Sequence, residues 1–207
     1  TKSLTEKFAD NEIALYNSNS VSPTVAGSFF VKSVVAVVIT AILVVIYVGI
    51  RFRRIGGVSA AVTALCALVF DVLITFFTCV LFKLQLDSNY IAVVLTILGY
   101  SLNDTIVIYD RVRENKRLMP DAEIGEVVNA SINTTLKRNV ITSLTTFVAV
   151  MTIVTVSELF GLSTLRTFAI PMAFGIVSGA VSSLFIAGPL WVIWKRHKAK
   201  KAAAKKK

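Results

Sequence analysis

Gly99-Tyr100-Ser101-Leu102-Asn103-Asp104-Thr105-Ile106-Val107-Ile108-Tyr109-Asp110-Arg111-Val112-Arg113-Glu114-Asn115 begins deep inside an apolar run and ends in a cluster of charges. The run that carries it, about residues 90–109, is long enough to cross a hydrocarbon layer as helix. Asp104 therefore falls on a membrane segment, where an ionised carboxylate is costly and marks a functional site by default. Its candidate partner is Arg138, on the next segment.

The same pattern recurs along the chain. Of 207 residues, 55% are hydrophobic and only 16% are charged, and most charges fall between the apolar runs. The mean hydropathy is +0.74. Runs of this length, rather than period-3.6 or period-2 alternation, specify an all-α polytopic membrane protein. Five spans are expected, at about 29–50, 58–82, 90–109, 138–157 and 167–194. Pro171 is expected to kink the last of them. Gly175, Gly179 and Ser183, four residues apart, are expected to form a close-packing face there.

The connecting segments are polar. Residues 1–28 are mixed in charge and read as an external linker, with a short amphipathic helix over Leu4 to Tyr16. The chain opens on Thr1 with no visible signal peptide, as expected of a fragment or a processed product. Gly56-Gly57 makes the turn after the first span, and Lys83 to Asn89 is a short link. Met119-Pro120-Asp121 is a helix-start signal. Beyond it Ile124, Val128, Ile132 and Leu136 recur every four residues, giving an amphipathic helix over about 121–137 expected to lie at the membrane surface. The tail 195–207 is basic, of low complexity, and expected to be disordered.

The net charge of +10 does not point to nucleic acid, because there is no basic face interleaved with aromatics on a soluble fold. The 22 basic residues instead flank the spans, as orientation signals and anionic-lipid contacts would. They gather after span one, across 111–138 and in the tail, so the positive-inside rule puts the C-terminus in the cytoplasm and residues 1–28 outside. Cys66 and Cys79 fall thirteen residues apart on one expected helix, roughly 20 Å, beyond disulfide reach. His197, the one histidine, is in the tail, so no histidine metal site or Ser-His triad is expected. No enzyme activity, metal or cofactor is expected.

Two polar groups stand out within the spans. Ser101, Asn103, Asp104 and Thr105 share one turn, where Asn103 and Thr105 can hydrogen-bond the carboxylate or hold water beside it. Thr135, Arg138, Thr142 and Thr145 or Thr146 fall on one face of the next helix. Asp71 is a further carboxylate in the second span. Burial disfavours a charged carboxylate and a nearby guanidinium favours it, so a moving arginine would switch proton affinity. The same residues also suit a static Asp104–Arg138 ion pair, with threonine hydroxyls satisfying backbone carbonyls.

The stretch from Gly99 to Asn115 closely resembles the signature of the SecF family, the smaller partner in SecD–SecF protein export. Val21-Ser22-Pro23-Thr24-Val25-Ala26-Gly27 looks like the family's Val-Gly-Pro motif, with Ser22 in place of glycine. Tyr47 to Phe52 and Thr134 to Ser143 resemble two further family elements. The resemblance implies half of an RND-type membrane domain, paired with SecD. It implies use of the proton-motive force to pull secreted chains from the SecYEG channel in the bacterial cytoplasmic membrane. It places the proton path on Asp104 and Arg138. Relatives have six spans and an external domain in this half, so a preceding span and domain are expected to be missing. Phe70 stands where relatives carry a histidine before the second-span aspartate, which weakens a proton role for Asp71. Fusion to SecD is possible in this family. Two other classes fit the same residues: a proton-coupled exporter of small molecules or lipids, and an inert translocon scaffold.

Overall fold

The computed structural model describes residues 23–204, with side chains from residue 31 except those of 202 and 203. The expected helix over Leu4 to Tyr16 lies outside the described residues. Six helices follow one another, with no strand among the described residues. They are α1 (Pro23–Arg51), α2 (Gly57–Leu81), α3 (Ser88–Leu118), α4 (Ile124–Leu159), α5 (Ser163–Ser182) and α6 (Gly188–Ala204). A π turn, Ser183–Ala187, joins the last two into one composite element. Five elements are long and apolar enough to cross a membrane, and α5 with α6 makes the fifth.

Local chemistry sets the ends. Helix α1 is described from Pro23 onward. Residues 23–28, expected to belong to the external linker, are helical. Gly56 closes the first hairpin at φ +101°, a left-handed conformation that suits glycine. At Gly57 a side chain would collide with the Gly49 carbonyl, so α1 and α2 meet backbone to backbone. Asp87 caps α3, its Oδ1 accepting from the Asn89 amide at 2.9 Å and the Tyr90 amide at 3.4 Å.

Packing departs from expectation at three places. The segment 121–137 is not a separate surface helix, because α4 runs unbroken for 36 residues. At about 1.5 Å per residue that is roughly 54 Å, longer than the hydrocarbon core. Its first turns extend the bundle, with Val127, Val128 and Ser131 buried. Asn115 Nδ2 of α3 donates to Ser131 Oγ at 2.9 Å, which gives the apolar stripe a protein neighbour rather than a membrane surface. The helix also starts at Ile124 rather than at Asp121, since Glu123 is extended. The tail is helical to Ala204, where alanine and lysine prolong the turn begun by α6. Pro171 lies inside α5, and an unexpected π turn falls at 183–187.

Helix α5 is central and packs on α2, α3 and α4. Gly175 lies against Ile97, and a Cβ at Gly179 would meet Ser101 Cβ at 3.1 Å. Ser183 enters the π turn and donates to the Ala180 carbonyl. Helix α1 is peripheral and buries one stripe, Val44 and Val48, continued at helical spacing by Phe52 just past its end. Its other faces expose valine and isoleucine, as lipid contact requires.

The end that gathers the arginines has an aromatic core. Tyr109 stacks edge-on to Phe52, with centroids 5.6 Å apart, and lies 6.1 Å from Trp191. Tyr109 Oη donates to the Ala187 carbonyl at the end of the π turn, at 3.3 Å. Trp191 is fully buried and its Nε1 donates to Ser59 Oγ at 3.0 Å. Trp191→Phe is expected to lower stability by about 1–2 kcal/mol, because Ser59 loses its donor in a dry site. Thermal unfolding in detergent checks this. Arg51 Nη2 meets Asp110 Oδ2 at 3.1 Å, but both side chains are about a third exposed. Arg51→Ala is expected to change the same midpoint by less than about 1 kcal/mol equivalent.

Candidate functional site: two buried carboxylates

Asp71 on α2 is completely buried. Three hydroxyls donate to it: Ser178 to Oδ1 at 2.6 Å, Ser101 to Oδ2 at 2.6 Å and Ser182 to Oδ2 at 2.8 Å. The donors come from α3 and α5, so one carboxylate joins three helices. It forms no ion pair among the described residues. The small residues Gly175 and Gly179 bring α5 close enough for its serines to reach. Ser178 and Ser182 were not among the expected site residues. Their four-residue spacing beside two glycines is the signal, yet it reads equally well as close packing.

Asp104 on α3 is also buried, at 2% exposure, but its environment differs. It accepts one hydrogen bond, from Ser143 Oγ of α4 at 3.4 Å. Ser143 in turn accepts from Tyr100 Oη at 3.2 Å. The second Asp104 oxygen has no hydrogen-bond partner among the described residues. A carboxylate with so few donors is poorly compensated for the loss of water.

Arg138 does not pair with Asp104. It lies five residues before Ser143 on α4, about 7–8 Å nearer the arginine-rich end. There it lines an open cavity of about 650 Å³ together with Val107, Asp110, Glu114, Thr134 and Thr135. Asp104 is thus buried while Arg138 stands at an open cavity, with no contact between them.

The remaining expected residues divide between the two sites. Ser101 serves Asp71 rather than Asp104. Thr105 is buried and donates to the Ser101 carbonyl at 3.2 Å, so it does not touch the carboxylate beside it. Asn103 faces out of the chain, on the exposed side of α3 with Thr96 and Gly99. Thr142 donates to the Arg138 carbonyl at 2.9 Å, and Thr135, Thr145 and Thr146 bond backwards in the same way. The threonine stripe is therefore satisfied by its own helix.

A family model described as "Protein export membrane protein SecD/SecF, C-terminal" matches residues 1–197. The chain belongs to the SecD/SecF protein-export family. SecF of a Synechocystis species is 38% identical over 97% of this chain and 62% of its own length. SecDF of Bacillus subtilis is 38% identical over 91% of this chain but 25% of its own length. A crystal structure of SecDF in a super-membrane-facing form superposes with a TM-score of 0.79 at 32% identity. It covers 99% of this chain and 27% of that one. The chain thus spans between a quarter and about three fifths of these SecF and SecDF relatives. Its five apolar helices and its family make it an integral membrane protein.

Proposed function

We propose that this chain is the membrane part of a SecF-type subunit that uses the proton-motive force, with a SecD-type half, to promote late protein export. The observation that carries this reading is the under-satisfied carboxylate of Asp104, with Arg138 on the neighbouring helix out of contact at an open cavity. A static pair would hold its arginine in contact. A proton carrier needs a carboxylate that is tolerable in both protonation states and a cation whose approach favours the ionised one.

On this reading Asp104 takes a proton from one side of the membrane. Arg138, moving along the α3–α4 groove, displaces it toward the cavity at the arginine-rich end. The membrane field adds roughly 2.3 kcal/mol per charge per 100 mV to such a step. The protein sits in the bacterial cytoplasmic membrane, with residues 1–28 outside and the C-terminus cytoplasmic, as the positive-inside bias supports. Its partners are SecD, the SecYEG channel, the translocating preprotein and anionic lipid. It is a transport component rather than an enzyme, and a proton gradient is its only energy source.

The test is export into inverted vesicles containing the full complex, with and without a proton gradient, and with or without this subunit. Late export should gain from the gradient only when the subunit is present. Equal gradient dependence in its absence would remove the motor reading and leave a scaffold.

A further inference from the structure

Beside the Arg138 cavity lies a second one of about 480 Å³, at the junction of the first hairpin and the end of α3. Ile50, Arg51, Arg53 and Arg54 line one side and Arg113 and Arg117 the other. One carboxylate serves this group. Asp110 takes Arg51 on Oδ2 and Arg113 on Oδ1, each at 3.1 Å. Arg53, Arg54 and Arg117 have no acidic partner among the described residues. Five guanidinium groups around one carboxylate leave a large positive excess that the chain does not itself neutralise. Guanidinium forks match phosphate oxygens two at a time.

The surroundings select the form of that phosphate. The cavity sits where α1 leaves its apolar span. Directly before it on α1, Ile46, Tyr47 and Ile50 are about half exposed or more, which makes an apolar strip leading into the membrane. A free anion would use the charges and leave the strip bare. A phospholipid would use both. We infer that this cavity is a headgroup site for an anionic phospholipid, whose acyl chains lie along Ile46 and Ile50 of α1. The inference needs only that the helices span a bilayer, and it stands or falls apart from the export reading.

The test uses the full-length protein in complex, analysed by native mass spectrometry. The probes are phosphatidylglycerol, phosphatidylcholine with the same chains, and inorganic phosphate. Phosphatidylglycerol should be retained about tenfold better than phosphatidylcholine, and millimolar phosphate should not displace it. Arg54→Ala with Arg117→Ala, at roughly fivefold per arginine, should abolish that preference. Both positions are exposed. An unchanged melting midpoint in phosphatidylcholine will show that the fold is kept. Lys198→Ala with Lys200→Ala, at the same end, should leave the preference unchanged. Equal retention of the two lipids would overturn the site. An equal loss in both double variants would reduce it to diffuse surface charge. Displacement by phosphate would make it a free-anion site. Retention of an acidic protein segment in place of lipid would make it a protein contact.

Discussion

Asp104→Asn is expected to abolish the gradient-dependent part of late export, down to the level of vesicles without a gradient, while the complex still assembles. Asparagine has nearly the same shape as aspartate and still accepts from Ser143, so the only local hydrogen bond is kept. It cannot gain or lose a proton near neutral pH. The folded chain should lose no stability, because an amide needs less solvation than a carboxylate in a site with one donor. Export assayed with and without a gradient, beside co-purification of the partner subunit, separates the outcomes. If the variant retains full gradient dependence, Asp104 is not the carrier. If assembly fails, the carboxylate was structural. Arg138→Lys keeps the charge but loses the planar fork, and is expected to weaken the same gradient-dependent component without disturbing the fold.

Gly175→Leu is expected to prevent accumulation of folded protein. Even a Cβ at this position would press on the Ile97 side chain, with Cγ1 at 2.7 Å and Thr75 Oγ1 at 3.2 Å. Ile97 is buried at 1% exposure and has little room to retreat. Three more carbons would push α5 away from α3. That movement would also draw Ser178 and Ser182 off Asp71 and leave a buried carboxylate with one donor instead of three. Overpacking typically costs about 1–3 kcal/mol, and partial loss of a buried polar network adds to it. Gly175→Ala should fall between wild type and Gly175→Leu. Gly49→Ala, where the new Cβ meets nothing within 4 Å, should be near neutral. Size-exclusion recovery and thermal unfolding in detergent measure all three. Normal recovery of Gly175→Leu would mean that the α3–α5 contact is looser than drawn.

The five spans were legible in the sequence because crossing a hydrocarbon layer demands about 20 apolar residues in a row, a purely local requirement. The turn at Gly56-Gly57 was legible for a similar reason, since one residue adopts positive φ. Asp104 and Asp71 stood out because an acid within such a run is costly wherever its helix packs. The extent of the helices was less legible. Nothing in 121–137 distinguishes a stripe that meets a membrane surface from one that meets α3, because both bury the same residues.

The partners of the two carboxylates were decided only by tertiary structure. Ser101 is one turn from Asp104 in sequence yet serves Asp71 on another helix. Ser143, which does reach Asp104, is one of several hydroxyls on α4. Serine and threonine are nearly neutral in hydropathy and can always bond to their own helix, so they leave no mark that names a neighbour. Which helix lies beside which, and at what height, follows from close packing at Gly175 and Gly179 and the resulting register of α5. Local sequence sets the spans and flags the charges. The order and axial register of the helices, a property of the packed bundle, set the distance between Asp104 and Arg138.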